Sequence, residues 1–304
     1  MKRRTPLFTF YWMLLVLLLL LLAGCGPGDK SSPAGGEKVK PGPNAQAIRV
    51  GLIPNQAPDK IKAQYEPFRV YLATKLDMKV ELFVATDYAG VVEAMANDKL
   101  DVAYFGGLTY VQARKRADIY PIVTEIDRYT NTTGYTSLII VPADSPVKSI
   151  SELKGKTFAF GDVSSTSGSL YPRIMLDKAG IKVPDGLKNV VYTGSHDATA
   201  LAVQNKTIDA GGIEGRILKK LISRGIVDES KIRVLGESDP IEGYPWVVRA
   251  SLDKNLVEKI IQVFLDIKDP ELLDLMRAVR YERTDAKAYD YIEKEAARLG
   301  LLKN

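Results

Sequence analysis

The sequence predicts an α/β fold built from βαβ units. Three observations carry that expectation. Short β-like runs alternate with helix-like runs along most of the chain. Strand-to-helix junctions repeatedly end in Ser, Thr or Asp. The first 47 residues have the composition of a leader and a tether, not of a core. Such alternation favours a largely parallel sheet, with ligands held beyond the carboxyl ends of its strands.

The N-terminus stands apart from the fold. Lys2, Arg3 and Arg4 precede an unbroken apolar run from Tyr11 to Leu22, and Ala23 and Gly24 follow, directly before Cys25. A positive segment, a short apolar core and small residues make a secretory signal. The run is short for a membrane span, which needs about 20 residues. The ending at Cys25 resembles a bacterial lipobox, which implies that residues 1–24 are a lipoprotein signal peptide and that Cys25 carries the lipid. Stable anchoring needs more than one acyl chain, which the lipoprotein pattern supplies. Cys25 is the chain's one cysteine, so no intramolecular disulfide forms. Residues 26–47 are rich in Pro, Gly, Ser and Lys and read as a flexible tether, so 25–47 is expected to be a lipid-anchored linker. The protein is then expected at the cell membrane, lipid-anchored and facing the periplasm or cell exterior.

The net charge is +5. Residues 1–24 contribute three cations and no acids, and their removal leaves about +2. There is no basic stripe with interleaved aromatics, so nucleic acid is not an expected partner.

From Ile48 onward the elements follow one another. Residues 47–54 form a β-like run ending at Pro54. Residues 60–76 have helical spacing through Ile61, Tyr65, Phe68, Leu72 and Leu76. A strand is expected over 79–85, a helix over 87–100 and a strand over 101–107 that stops at glycines. Residues 135–145 form a strong strand. Residues 150–162 give a short capped helix and then a strand, and a helix is expected over 171–180. A strand follows over 189–194, then a helix and a short strand over 195–212. Strands are expected over 231–238 and 244–250, and the tail from Leu252 is expected to be almost entirely helical.

Three junctions have candidate chemistry. Thr86 and Asp87 precede one helix, Ser164 to Ser167 another, and Ser195 a third, with His196 in its first turn. Helix N-termini expose unpaired N–H groups and partial positive charge, so they accept anions. Ser165, Thr166 and Ser167 can each donate a hydroxyl hydrogen bond to one tetrahedral oxyanion. The same residues are also ordinary N-caps, and physics alone leaves both readings open. His196 is the one histidine; the helix dipole disfavours its charged form, which suits it to donate as neutral imidazole.

The stretches DYAGVVEAMANDKLDVAYFGG, GYTSLIIVPADSP, FAFGDVSSTSGSLYPR and TGSHDATALAVQNKTIDAG resemble the phosphonate/phosphite-binding proteins of ABC importers over nearly all of residues 48–300. That resemblance implies a two-lobed periplasmic-binding-protein fold of type II with two hinge crossings: lobe 1 from 48–136 plus 248–304, lobe 2 from 137–247. It implies that Ser165, Thr166, Ser167 and His196 hold the oxyanion, with Tyr88 facing it and Tyr104 as a pocket wall. Relatives that take aminoalkylphosphonates hold the amine with carboxylates and a tyrosine. The positions that align here are Arg216, Tyr244 and Phe105. A cation beside an ammonium repels it and leaves its desolvation uncompensated. Glu214, two residues earlier, takes that role only if the register differs. The expected ligand is therefore a small anion without an amine: phosphite, methylphosphonate or phosphate. Aminoalkylphosphonate and selenate are the alternatives. Phe105 and Tyr244 would close the pocket.

An enzyme is not expected. Ser and His invite a hydrolase, but no G-x-S-x-G elbow is present, and Ser151–Lys154 matches S-x-x-K without its S-D-N and K-T-G companions. One histidine and no further cysteine make no metal site, and no cofactor is expected. A lipoprotein that reports its ligand to a receptor would use the same fold and site. The expected partners are the oxyanion and a membrane permease, with the protein itself a monomer.

Overall fold

The computed structural model describes residues 47–302. The signal, lipobox and most of the tether lie outside the described residues. No helix among the described residues is long and apolar enough to cross a membrane.

The first lobe begins β1 (Ile48–Leu52), α1 (Pro58–Leu76), β2 (Val80–Val84), α2 (Tyr88–Ala96), β3 (Val102–Tyr104), α3 (Gly107–Ala113) and β4 (Ile119–Asp127). The chain then crosses to β5 (Ser137–Pro142), β6 (Thr157–Phe160), α4 (Tyr171–Lys178), β7 (Asn189–Tyr192), α5 (His196–Gln204), β8 (Ala210–Glu214), α6 (Gly215–Ser223) and β9 (Ile232–Glu237). It returns through β10 (Pro245–Arg249), α7 (Lys254–Leu265), α8 (Pro270–Leu275), β11 (Ala278–Arg283) and α9 (Asp290–Arg298).

Two sheets result. The first has the order β11-β4-β10-β3-β1-β2, the second β7-β6-β8-β5-β9. The two crossings run side by side and pair once: Tyr135 N–H donates to Ile241 O at 3.0 Å, and Ile241 N–H to Tyr135 O at 2.7 Å. Because β10 pairs with both β3 and β4, the return crossing lies upstream of residue 245. The expected lobe boundary at 247 falls inside a strand of the first sheet.

The expectation of largely parallel sheets does not hold; both are mixed. β1 runs parallel to β2 and β3, and β6 to β7 and β8. The first strand after each crossing, β5 and then β10, is antiparallel to both its neighbours. Exchanging strands between lobes imposes this, since the chain enters each sheet from the hinge side.

The tail is not all helical either. β11 pairs antiparallel with β4 at the sheet edge. Its sequence AVRYER buries Ala278 and Tyr281 and exposes charged residues. An edge strand tolerates such charges, and tertiary pairing overrides the helical propensity of Ala, Arg and Glu. β4, α3 and α6 have no counterpart in the sequence reading. Pro121 argues against an inner strand; here it sits beside the register shift at Trp246/Val247, where a ladder bond is already lost.

The first lobe's core centres on Trp246, whose ring lies 4.8 Å from Phe264, 5.0 Å from Phe68 and 4.9 Å from Tyr104. The second lobe has a separate apolar cluster on each face of its sheet, one around Phe158 and Leu176, the other around Ile140 and Ile217. The ends of the parallel strands in both sheets carry their loops to a common cleft.

Candidate functional site

The loop after β6 is the centre of the cleft. Asp162 starts it: its Oδ1 accepts from Ser164 N–H at 2.7 Å, and its Oδ2 from Tyr88 N–H across the cleft at 3.2 Å. Thr166–Leu170 then forms a π-helical turn leading into α4. The three hydroxyls at its start, Ser165, Thr166 and Ser167, have different tasks. Ser165 Oγ caps it, accepting from Gly168 N–H at 3.0 Å. Thr166 Oγ1 accepts from Leu108 N–H of the other lobe at 2.9 Å. Ser167 Oγ is fully buried and has no protein partner. The turn is dense enough to demand glycine: a Cβ on Gly168 would lie 2.9 Å from Ser165 Oγ and 3.0 Å from His196 Cε1.

His196 begins α5. Its Nδ1 accepts from the backbone N–H of Glu214 at 3.2 Å, so the ring proton sits on Nε2, which is buried without a partner. Burial pushes its pKa down to about 4. The ring is therefore neutral at physiological pH, with desolvation rather than the helix dipole as the main cause. Its backbone N–H donates to Asn55 O of the first lobe at 3.2 Å. Ser195, the expected cap of α5, does not cap it; its hydroxyl donates to Asp197 at 2.5 Å. Asp87 does cap α2, accepting from Gly90 N–H at 2.8 Å.

A buried charge cluster forms the floor. Tyr244 OH donates to Glu214 Oε2 at 2.5 Å, and Arg216 Nε donates to Glu214 Oε1 at 2.7 Å. Arg216 Nη1 reaches across the hinge to Glu125 Oε1 at 3.2 Å and Asp127 Oδ2 at 3.4 Å. The guanidinium lies 4.5 Å over the Tyr135 ring and 5.5 Å from that of Tyr244. Arg277 Nη2 donates to Tyr104 OH at 3.3 Å, and Tyr104 stacks on Tyr244 at 5.2 Å. Burial alone would raise the Glu214 carboxyl; Arg216 and Arg277 outweigh it and hold it down to about 2. Burial pushes Glu125 up against the opposing pull of Arg216, and it pushes the Tyr88, Tyr104 and Tyr244 hydroxyls well above their usual range.

Ser165, Thr166, Ser167, His196 and Tyr88 thus come together, and Tyr104, Arg216 and Tyr244 lie in the adjoining floor. Phe105 is different: it is fully buried in the first lobe's core, with its N–H on Pro245 O at 3.1 Å. The aromatic packed between Arg216 and Tyr244 is Tyr135, 5.2 Å from the Tyr244 ring. Arg216 is no free cation either. Three carboxylates surround it, so its charge alone does not repel an ammonium. Sequence reasoning missed Asn55, Glu125, Asp127, Tyr135, Asp162 and Arg277. Tyr135, beside the expected lobe boundary, and Asp162, two residues before Ser164 in the same motif, were the available signals; the rest come from distant segments with no local motif.

The lobes are closed on one another. Thr109 Oγ1 donates to Ser164 O at 3.0 Å, and a Cβ on Gly106 would lie 3.0 Å from Thr166 Oγ1. Among the described residues this part of the cleft holds buried neutral donors without protein partners: the Ser167 and Tyr135 hydroxyls and the imidazole N–H of His196. Such groups bind an anion by hydrogen bonding without a formal counter-charge.

Residues 50–289 match the family model described as ABC transporter, phosphonate, periplasmic substrate-binding protein. The chain belongs to that family. It is the substrate-binding component of an ABC importer, and it works with the importer's permease. Among similar proteins, the phosphonates-binding periplasmic protein of Escherichia coli is 33% identical over 74% of this chain and 68% of its own. The phosphate-import protein PhnD of Mycolicibacterium smegmatis is 30% identical over 72% and 71%. The methylphosphonate complex of PhnD1 from Prochlorococcus marinus superposes with a TM-score of 0.75, at 26% identity, over 84% of this chain and 99% of that one. Its fold is the two-lobed one that the sequence led us to expect.

Proposed function

We propose that this chain captures a small tetrahedral oxyanion without an amine, namely phosphite, methylphosphonate or phosphate, between Ser165–Ser167, His196 and Tyr88. The observation that supports this most is the pair of buried donors without partners, Ser167 Oγ–H and His196 Nε2–H, on adjoining elements of the cleft. The methylphosphonate complex of a similar protein supports the same ligand class. Amine-bearing ligands are disfavoured by saturation, not repulsion: both oxygens of Glu214 already accept, from Tyr244 and from Arg216. An ammonium would have to displace one of them. Tyr135 and Tyr244 limit the room beyond the oxyanion.

Closure is the binding event. Ligand that touches both lobes favours the closed state and draws the equilibrium toward it. No bond is made or broken, and no residue acts as a nucleophile. The lipobox ending at Cys25 supports lipid anchoring on the outer side of a membrane, from where the protein, as a monomer in this reading, hands its ligand to the permease.

Thermal unfolding with a ligand panel tests the reading. At 100 times its Kd a ligand stabilises by about 2.7 kcal/mol. Phosphite, methylphosphonate or phosphate should raise Tm and 2-aminoethylphosphonate should not. Strongest stabilisation by the amine would overturn the ligand assignment, and silence across the panel would overturn the cradle.

A further inference from the structure

A cavity of about 130 Å³ lies between the lobes and borders the charge cluster at Arg216 and Arg277. Arg216 and Lys220 of α6 and Arg224 at its C-terminal end line it from one lobe, and Arg128, Asp274 and Arg277 from the other. Five cations thus face one carboxylate, and Asp274 is already paired with Arg128. Arg216 is balanced by Glu214, Glu125 and Asp127. Arg277 has the Tyr104 hydroxyl, and Lys220 and Arg224 make no ion pair among the described residues.

Two of the lining residues also carry buried donors. Arg216 Nη2 and Arg277 Nε are buried without partners, on residues 4% and 5% exposed. Guanidinium N–H groups left unpaired in this way are costly and are ordinarily satisfied by an oxyanion or water. Burial first, and then the charges of Arg277 and Arg224, push the Lys220 ammonium down to about 8.

We propose that this cavity is a second anion site, distinct from the Ser–His cradle, that takes a small inorganic dianion such as sulfate. Its cations come from both lobes, so an anion there bridges them and favours closure. By linkage it tightens ligand binding in the cradle by the same factor that the ligand tightens it.

The test is equilibrium dialysis of radiolabelled sulfate against the full chain at constant ionic strength, with methylphosphonate in excess to keep sulfate out of the cradle. One sulfate per chain is expected. It should persist in Ser167→Ala, weaken roughly tenfold or more in Lys220→Gln/Arg224→Gln, which removes two charged donors, and tighten in Asp274→Asn, which releases Arg128. These changes lie on exposed or half-buried groups, and two of the variants move binding in opposite directions, so misfolding does not imitate the pattern. No bound sulfate, or sulfate that survives the α6 double variant, overturns the proposal. Sulfate lost in Ser167→Ala alone assigns the anion to the cradle instead, and also overturns it.

Discussion

His196 Nδ1 accepts the backbone N–H of Glu214 at 3.2 Å. This one bond fixes the imidazole tautomer, turns a protonated Nε2 into the cleft, and couples the cradle to the carboxylate that anchors the charge cluster. Both functional layers of the cleft, neutral donors above and ion pairs below, meet at the end of β8.

The hydroxyls of the β6–α4 turn should separate by experiment. Ser165 caps the turn, so Ser165→Ala should lower the unliganded protein's stability by about 1 kcal/mol. Ser167 has no partner to lose, so Ser167→Ala should leave stability unchanged or slightly raised. Denaturant unfolding without ligand measures both, and equal losses would mean that Ser167 is structural.

Thr166→Val removes the acceptor of Leu108 N–H across the cleft. The amide would then be buried without a partner in the closed state alone, a cost of roughly 1–3 kcal/mol. Closure should become less favourable, seen as weaker methylphosphonate binding together with a larger radius of gyration at subsaturating ligand. Unchanged scattering with weakened binding would place Thr166 in the cradle only.

Acid should destabilise the fold in two windows. The His196 pKa is depressed to about 4, so the unfolded chain takes up this proton first. Its contribution is complete above about pH 6.5 and is lost as pH falls toward 4, to the extent of about 3 kcal/mol. Glu214, held at about 2, loses its contribution as pH falls from about 4.5 through 2. Denaturant unfolding at a series of pH values should show the upper window vanish in His196→Gln. A flat profile from pH 7 to 4 would contradict a buried neutral imidazole.

Glu214→Gln leaves Arg216 with Glu125 and Asp127 but removes its closest partner. Breaking a buried ion pair on one side costs about 3–5 kcal/mol, so Tm should fall markedly. Arg216→Glu should be worse, since four carboxylates would then crowd one dry site. A Tm near wild type for either would mean that the cluster is wetter than its burial indicates.

The residues of the proposed cradle stand out in the sequence because they are local. Ser165, Thr166 and Ser167 share one turn, and His196 begins a helix, so residue type and position announced them. The sequence did not distinguish the capping hydroxyl from the free one, which only the path of Gly168 N–H and Leu108 N–H decides. The charge cluster was invisible because it joins β4, β8 and the α8–β11 turn, segments with no shared spacing. Reading Arg216 as an open cation failed for that reason: its partners Glu125 and Asp127 lie about ninety residues away. The missed strands have similar causes, a proline tolerated beside a register shift in β4 and charged residues tolerated at the edge in β11.

The most direct measurement is calorimetric titration of methylphosphonate into the wild type and into the Ser167→Ala/His196→Ala double variant. Saturable binding in the wild type, weakened by roughly 3 kcal/mol or more as two charge-assisted hydrogen bonds are lost, is the result this account predicts. Binding of equal strength in both proteins would contradict it, because the oxyanion would then be held by some other part of the cleft.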